Sequence, residues 1–433
     1  MGEMVTMIGQ ELPARNKAAM AARFVLEYVA ACPPRGIRPL SMEVYDRLQA
    51  LADEIIDHGQ LSDSLQFKLA DFDLEVLGSR RLGMDRGQLD KVREAFLPVQ
   101  AHGEIMRAQR GFHRHWRPSA PVDPPSSERT DLDEAVRLEL GYSLREFRDF
   151  LVAASSIGFA RSPRVCIFGK QELTRELSRE LGWTEGRVVT MMDHLSLEPR
   201  PSFLAPPRPN RAEDVYPWRF NRSLSYLRKP FLVRPREGGD HEVIWGPRQA
   251  LEASVYLFMI CLTGRLRAQS LEMKQAISRY LNVESELFND LVADFFEQDL
   301  ELVVRRRLKK IGSRRGQLEQ LGDIDVLVVE PKRRTLVVIE CKDLAGARTF
   351  YEMGNELQEF FVGTNGRRSI LDKHSRRVEW VKNNLDAVLD ELRITAKGKW
   401  SVDSLIVVDH ELLSPYYRQC PVKIVPFEQL KKR

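Results

Sequence analysis

The sequence predicts an α+β protein with more than one domain. Apolar residues recur at three- and four-residue spacing through most of the first half of the chain, which predicts helices. Two apolar runs rich in β-branched residues near residue 330 predict paired strands, and helical patterns flank them. A length of 433 residues exceeds what a single hydrophobic core usually organises, so several domains are expected.

Composition and charge are those of an ordinary globular protein. Hydrophobic residues make up 43% of the chain and charged residues 30%, and a net charge of +4 is too small to indicate a nucleic-acid partner by itself. The five cysteines are scattered and form no CxxC pair, which is typical of a reducing compartment. The N-terminus carries no secretory pattern, and the apolar run 253–262 is about half the length that spans a bilayer. We therefore expect a cytoplasmic protein that does not enter a membrane.

The N-terminal region, residues 1–116, has the pattern of a helical domain. Helices are predicted at 18–31, 42–57 and 89–109. Residues 117–129 are rich in proline and serine and are predicted to form a linker. No cluster of residues in this part of the chain suggests chemistry, so we interpret it as a scaffold or an interaction module.

The middle domain, residues 130–247, has a pattern typical of a winged helix-turn-helix. Helical periodicity runs from 132 to about 155, two further helices are predicted at 171–180 and 185–197, and a hairpin is expected across 226–245.

The second predicted helix of that pair would offer three side chains to a DNA groove, namely Arg187, Thr190 and His194. Ordinary packing of a helical hairpin gives the same sequence pattern. Both interpretations stay open at this point.

The C-terminal domain, residues 248–433, begins with helices predicted at 248–266, 271–281 and 284–298. These helices are followed by an extended segment at 300–311, and strongly basic residues continue a few positions past its end. Its candidate nucleic-acid-binding residues are Arg305, Arg307, Lys309, Lys310, Arg314 and Arg315. A run of charge usually marks a solvated surface, but this one directly precedes an acidic hairpin, and a basic wall beside a metal site suits a phosphodiester substrate.

That acidic hairpin consists of two apolar strands that carry charges at their ends. Asp323 and Asp325 precede the first strand's apolar run, and Glu340 and Lys342 close the second. Residues two apart on a strand share a face, so these are two same-face pairs. Desolvating such charges is costly unless something uses them, and a divalent cation is one use. A purely structural salt-bridge network would have to neutralise three acids with a single lysine.

These residues resemble a known superfamily. Gly322-Asp323-Ile324-Asp325, followed about fifteen residues later by Glu340-Cys341-Lys342, resembles the PD-(D/E)xK signature of restriction-endonuclease-like nucleases. The resemblance covers roughly residues 284–409 and includes the predicted order helix, three strands, helix, strand. It implies an αβββαβ restriction-endonuclease-like core and a nuclease that uses Mg²⁺ or Mn²⁺.

The resemblance also implies roles for individual residues. Asp325, Glu340 and the backbone carbonyl of Cys341 match the family's metal ligands. Lys342 matches the lysine that polarises the attacking water or steadies negative charge on the phosphate. Hard carboxylate oxygens are ligands that Mg²⁺ and Mn²⁺ prefer, in agreement with that assignment.

Several further positions match less well. Asp323 stands where relatives often carry an acid beside the ligands. Asn289 stands where relatives often carry a ligating glutamate, with Asp290 next to it as a substitute, so one-metal and two-metal chemistry both stay open. Gln358 is a weak candidate for an assisting residue. On the next predicted helix, 371–392, the residues Lys373, His374 and Arg377 would face the phosphate backbone or simply solvent.

The expected function is that of a metal-dependent DNA endonuclease, with a role in bacterial defence or DNA repair that follows only from the resemblance. DNA, a second copy of the chain or a defence-system protein are the expected partners. Two alternatives remain. One is a non-catalytic nucleic-acid-binding or regulatory protein with a degenerate nuclease core, and the other is a helical assembly subunit.

Overall fold

Two units divide the chain, residues 1–62 with 119–281, and residues 63–118 with 282–433. The computed structural model describes residues 2–36, 39–69, 74–84, 127–236, 241–309, 321–344, 346–364, 366–395 and 398–431. The predicted helix 89–109 and most of the predicted linker lie outside these ranges. The predicted domain limits stay predictions.

The first unit begins with two long helices, α1 (Gly2–Ala31) and α2 (Met42–Gln66), and the second of these extends past residue 62. Cys32-Pro33-Pro34 follows α1 at once, because proline cannot continue a helix. Phe24 of α1 and Ile56 of α2 are buried in one cluster with apolar residues from the segment 197–226.

Two helices replace the single one predicted from residue 132. These are α3 (Ser127–Leu140) and α4 (Leu144–Arg161). Gly141, with φ of +85°, ends the first, and Ser143 caps the second in a capping box with Glu146. The sequence pattern did not show this break because apolar spacing continues across it.

The helix pair and the hairpin predicted for the middle domain are both confirmed. Helix α5 (Lys170–Leu181) ends at Gly182, and α6 (Glu185–His194) starts after its cap Thr184. The strands of this unit are β3 (Cys166–Gly169), β4 (Ser196–Leu197), β5 (Phe231–Pro235) and β6 (His241–Trp245). They form a sheet in the order β3-β6-β5-β4, in which only β4 and β5 are parallel.

Two helices follow this sheet, α7 (Pro247–Leu262) and α8 (Leu271–Glu297), and α8 belongs to the second unit from residue 282 onwards. The helix α8 was predicted as two pieces, but neither glycine nor proline interrupts residues 282–283, and the structure is continuous there. The main core of the first unit includes Phe147, Phe150 and Trp245, all almost fully buried.

In the second unit, a hairpin of β1 (Leu74–Val76) and β2 (Leu82–Met84) accompanies a five-stranded sheet. The sheet consists of β7 (Val303–Leu308), β8 (Ile324–Glu330), β9 (Thr335–Lys342), β10 (Ser401–Val408) and β11 (Lys423–Pro426). Its order is β11-β10-β9-β8-β7. The strands β7, β8 and β9 are antiparallel, and β9, β10 and β11 are parallel.

The remaining helices of this unit are α9 (Phe350–Leu357), which continues into a π-helical turn (Gln358–Val362), then α10 (Ile370–Asn383), α11 (Leu385–Glu391), α12 (Ser414–Tyr417) and α13 (Phe427–Leu430). One helix was predicted for 371–392, but Asn384, with φ of −125°, separates α10 from α11. The described elements therefore follow the predicted order helix, three strands, helix, strand.

The two faces of the five-stranded sheet pack on different helices. On one face, Val326 and Ile339 cluster with Phe288 and Val292 of α8. On the other, Leu327 and Val338 cluster with apolar residues of α10 and α11. Because side chains alternate along a strand, Asp325 and Glu340 belong to this second face. Within the described ranges, no helix is both long and apolar enough to cross a membrane.

Candidate functional site

Strand pairing brings Asp325 beside Glu340. The antiparallel register pairs Val326 with Ile339, so Asp325 and Glu340 are the next residues outward on the same face. The backbone N–H of Cys341 donates to Asp325 Oδ2 at 2.8 Å. The carboxylate of one strand is thus fixed by the backbone of the next.

Glu340 lies between two cationic side chains. It is 3% exposed, and its Oε1 is 2.8 Å from Lys342 Nζ. Its Oε2 accepts a hydrogen bond from Nη1 of Arg377, and Arg377 Nε also donates to the carbonyl oxygen of Leu321 at 3.0 Å. A buried carboxylate with two cations is compensated in charge and held in one orientation.

Gly322 makes the approach of Arg377 possible. Its φ is +83°, and a Cβ placed there would lie 2.8 Å from Nη2 of Arg377. Only glycine tolerates both this backbone conformation and this contact without strain.

His374 and Arg377 correct the sequence interpretation, which placed them against a phosphate backbone or in solvent. His374 is fully buried, and its Nδ1 is 3.8 Å from Glu340 Oε2, too long for a hydrogen bond. Neither ring nitrogen of His374 has a hydrogen-bond partner among the described residues. Both residues lie on the stripe of α10 that also carries the buried Ile370, Val378 and Val381, and this spacing was the signal available in the sequence.

The electrostatics of the cluster differ between its two carboxyl groups. Burial and the neighbouring Glu340 raise the pKa of Asp325 to about 6. Burial would also raise the pKa of Glu340, but Lys342 and Arg377 hold it well below its usual range. An additional positive charge beside Asp325 would therefore reduce the repulsion between the two carboxylates. The side chain of Asp325 is partly exposed, as is that of Lys342 at 27%.

The oxygen donors at this site are of the type that Mg²⁺ takes. Asp325 and Glu340 supply carboxylates, and the Cys341 carbonyl belongs to the same strand end. Burial raises the pKa of the Cys341 thiol well above its usual value, so the thiol stays protonated. Among the described residues, no group of three or more His, Cys, Asp and Glu side chains is arranged to hold a metal. Asp325, Glu340 and the Cys341 carbonyl are the oxygen donors that an ion at this strand end could use.

The other predicted site residues lie in different surroundings. Asp323 is 3.5 Å from Lys309, and both are exposed. Asp290 pairs with Arg307. Asn289 is buried, and its Oδ1 has no hydrogen-bond partner in the described chain. Gln358 is exposed on the π-helical turn.

The basic segment is partly neutralised by α8. Arg307 pairs with Asp290 and with Glu286 at 3.3 Å, while Arg306 lies 2.5 Å from both Asp294 and Glu297. Arg305 is exposed and donates to the carbonyl of Val304 at 3.1 Å. Lys310, Arg314 and Arg315 lie outside the described residues.

The predicted DNA-reading residues of α6 make contacts within the first unit. Arg187 pairs with Glu146 and lies over the ring of Trp183 at 4.5 Å. The ring of His194 packs 5.4 Å from that of Phe147, and Thr190 Oγ1 donates to the carbonyl of Gly186 at 2.9 Å. These contacts favour the packing interpretation for Arg187 and His194.

A family model matches most of the chain. The model of a family described as "Upx-like: Anti-phage protein Upx-like" matches residues 2–410, which include the whole hairpin from Asp323 to Lys342. That description states a role against phage and no chemical reaction. No curated protein and no solved structure matches the chain.

Proposed function

Because the chain belongs to the Upx-like anti-phage protein family, we propose that it acts against phage by cutting DNA in a reaction that depends on Mg²⁺ or Mn²⁺. The observation that carries this proposal is the cluster of Asp325, Glu340 and Lys342 on two adjacent strands. The order and pairing of β7 to β10 and the resemblance of the Gly322–Lys342 motif support it.

Each residue of the cluster has a defined task in this proposal. Asp325, Glu340 and the Cys341 carbonyl would hold the ion, which when bound supplies Lewis acidity and a water of lowered pKa. Lys342 would stabilise negative charge that develops on the phosphate, because its side chain is partly exposed and its ammonium group lies beside Glu340. Arg377 keeps Glu340 oriented.

DNA cleavage by the full-length protein tests the proposal. Supercoiled plasmid, linear duplex and single-stranded DNA would each be incubated with Mg²⁺ or Mn²⁺. Lys342→Ala should reduce the cleavage rate about a hundredfold while DNA binding stays nearly unchanged. Lys332→Ala is the matched control, since this exposed lysine lies in the turn of the same hairpin and pairs with Glu301. Undiminished cleavage by Lys342→Ala would exclude the mechanism.

A second candidate is a protein that binds nucleic acid without cutting it, and one observation favours it. The hairpin sequence carries three acids and one lysine, but the structure adds Arg377 beside Glu340 and Lys309 beside Asp323. Asp323, Asp325 and Glu340 are thus matched by Lys309, Lys342 and Arg377, so the charges balance without an ion. This candidate predicts DNA binding with no cleavage in either metal, and protection against phage that survives Lys342→Ala.

A further inference from the structure

We propose that α2 is a dimerisation surface, on which the same helix of a second copy of this chain packs in the antiparallel direction. One stripe of α2 is already used within the first unit, where Ala52 and Ile56 are buried in its core. A second stripe, which we call the α2 seam, has four apolar residues at spacings of four, three and four: Val44, Leu48, Leu51 and Ile55. This inference does not depend on the nuclease-like cluster.

The α2 seam is largely exposed to solvent. Val44, Leu51 and Ile55 are 49%, 48% and 45% exposed. Leu48, which lies between them, is half-buried. Alternating spacings of four and three are those of the core positions of a coiled coil, whose side chains insert between side chains of a partner helix. A single exposed leucine is ordinary, but an apolar stripe along about three helical turns is typical of an interaction surface.

The charges beside the α2 seam favour an antiparallel partner. Arg47 and Glu54 are both exposed, and they lie on the side of the seam that is opposite to Ala52. In an antiparallel pair with twofold symmetry, this side of each helix faces the same side of the other. Arg47 of one copy therefore meets Glu54 of the other, and the symmetry forms this pair twice. In a parallel pair Arg47 would lie level with Ala52 of the partner, which offers no charge.

The same register pairs the apolar residues of the seam with one another. Val44 lies opposite the partner's Ile55. Leu48 lies opposite the partner's Leu51, and the twofold axis repeats both contacts. The next positions of the pattern beyond the two ends of the seam are polar and exposed: Ser41 and His58. One register therefore satisfies the apolar residues and the charges together.

The length of the α2 seam determines the affinity that we expect. Twelve helical residues extend over about 18 Å. Two helices in contact over this length bury less surface than a standard interface of roughly 1,600 Å². We therefore expect a reversible dimer with a dissociation constant on the order of 1–100 μM.

Sedimentation velocity of the full-length protein across the micromolar concentration range tests this inference. We expect an equilibrium between monomer and dimer. Leu51→Gln removes an apolar contact at two symmetry-related places and should weaken dimerisation at least tenfold. Leu138→Gln is the matched control, because Leu138 is 71% exposed on α3, outside the seam, and this variant should dimerise as the parent protein does.

Exchange of the two charges tests the antiparallel direction. Arg47→Glu or Glu54→Arg alone replaces two attractive pairs with two repulsive ones and should weaken the dimer about fivefold to tenfold. The double variant restores both pairs with exchanged signs and should recover most of the affinity. The inference is overturned if the parent protein stays monomeric, if Leu51→Gln dimerises as tightly as Leu138→Gln, or if the double variant dimerises no more tightly than the single variants.

Discussion

Arg377 joins three parts of the second unit through one side chain. It extends from α10, donates to the carbonyl of Leu321 just before β8, and contacts Glu340 on β9. A charged residue on an apolar helix stripe is usually costly, but here the buried Glu340 compensates it. The orientation of Glu340 and the position of the Gly322 turn consequently depend on a helix that contributes no metal ligand in the proposal.

Gly322→Ala tests how closely the turn and Arg377 fit. We expect it to lower the free energy of unfolding by about 2–3 kcal/mol, because the alanine would have a positive φ and would displace Arg377. Gly366→Ala is the matched control, since Gly366 has φ of +76° but no atom within 4 Å of its added Cβ. Gly366→Ala should lower the free energy of unfolding by about 1 kcal/mol. If denaturant titrations give the same loss for both variants, Arg377 does not constrain the residue at position 322.

His194 should make stability depend on pH. Burial, with Lys229 and Arg228 nearby, lowers its pKa to about 4 from 6.5. The unfolded chain therefore binds more protons between these values, and stability should fall by up to about 3 kcal/mol as the pH drops from 6.5 to 4. His194→Gln should remove this component of the slope in denaturant titrations. The control His58→Gln, at an exposed histidine of α2, should retain it; a slope unaltered by His194→Gln would contradict the assignment.

The residues of the cluster show what sequence could and could not predict. Alternation along each strand predicted two same-face pairs, Asp323 with Asp325 and Glu340 with Lys342, because a strand period of two needs no knowledge of the fold. The partner of Arg377 lies 37 positions earlier in the chain, and periodicity marks the face of a helix but not what that face meets. Hence the sequence predicted the acids and missed their second cation.

At the scale of elements, β7 and α8 neutralise each other's charges. Arg306 and Arg307 face Asp290, Asp294 and Glu297, which the sequence places nine or more positions away. Neighbouring arginines in this run therefore differ in whether their charge is available to bind a phosphate. No local pattern could have shown this, since it depends on the packing of a helix beside a strand.

DNA affinity should distinguish adjacent arginines of β7. Arg305→Ala should reduce the slope of log affinity against log salt by about one, because an exposed arginine can contact a phosphate. Arg306→Ala should leave the slope nearly unchanged, because its charge is already paired with Asp294 and Glu297. Fluorescence anisotropy from low to moderate salt measures both. A slope that Arg305→Ala leaves unchanged would show that this arginine of β7 does not contact the DNA backbone.

Short elements were the least predictable. The strand β3 has four residues and depends on pairing with β6, about 75 positions later. The four-residue β11 likewise depends on β10. The long helices α1 and α2 were found because their apolar spacing is local, although both extend beyond the predicted limits.

For the whole molecule, the family match indicates a role against phage. Metal binding at the cluster can be tested separately, by a measurement that does not require activity. Mg²⁺ at ten times its dissociation constant should stabilise the folded protein by about 1.4 kcal/mol and raise the Tm by roughly 3–5 °C. Asp325→Asn should abolish this shift in a thermal melt, whereas Asp403→Asn, at an exposed position of β10, should preserve it. A shift that persists in Asp325→Asn would place the ion elsewhere.

The alternation of β9 has a consequence for how this protein can change during evolution. Ile339 and Cys341 face α8, while Glu340 and Lys342 face α10, so the same strand serves as core and as site on alternate residues. Deleting one residue within it would direct the charges into the apolar layer and the apolar side chains towards Arg377. Lineages can therefore vary the length of the turn at 331–334, but a single-residue deletion within β9 removes fold and site together.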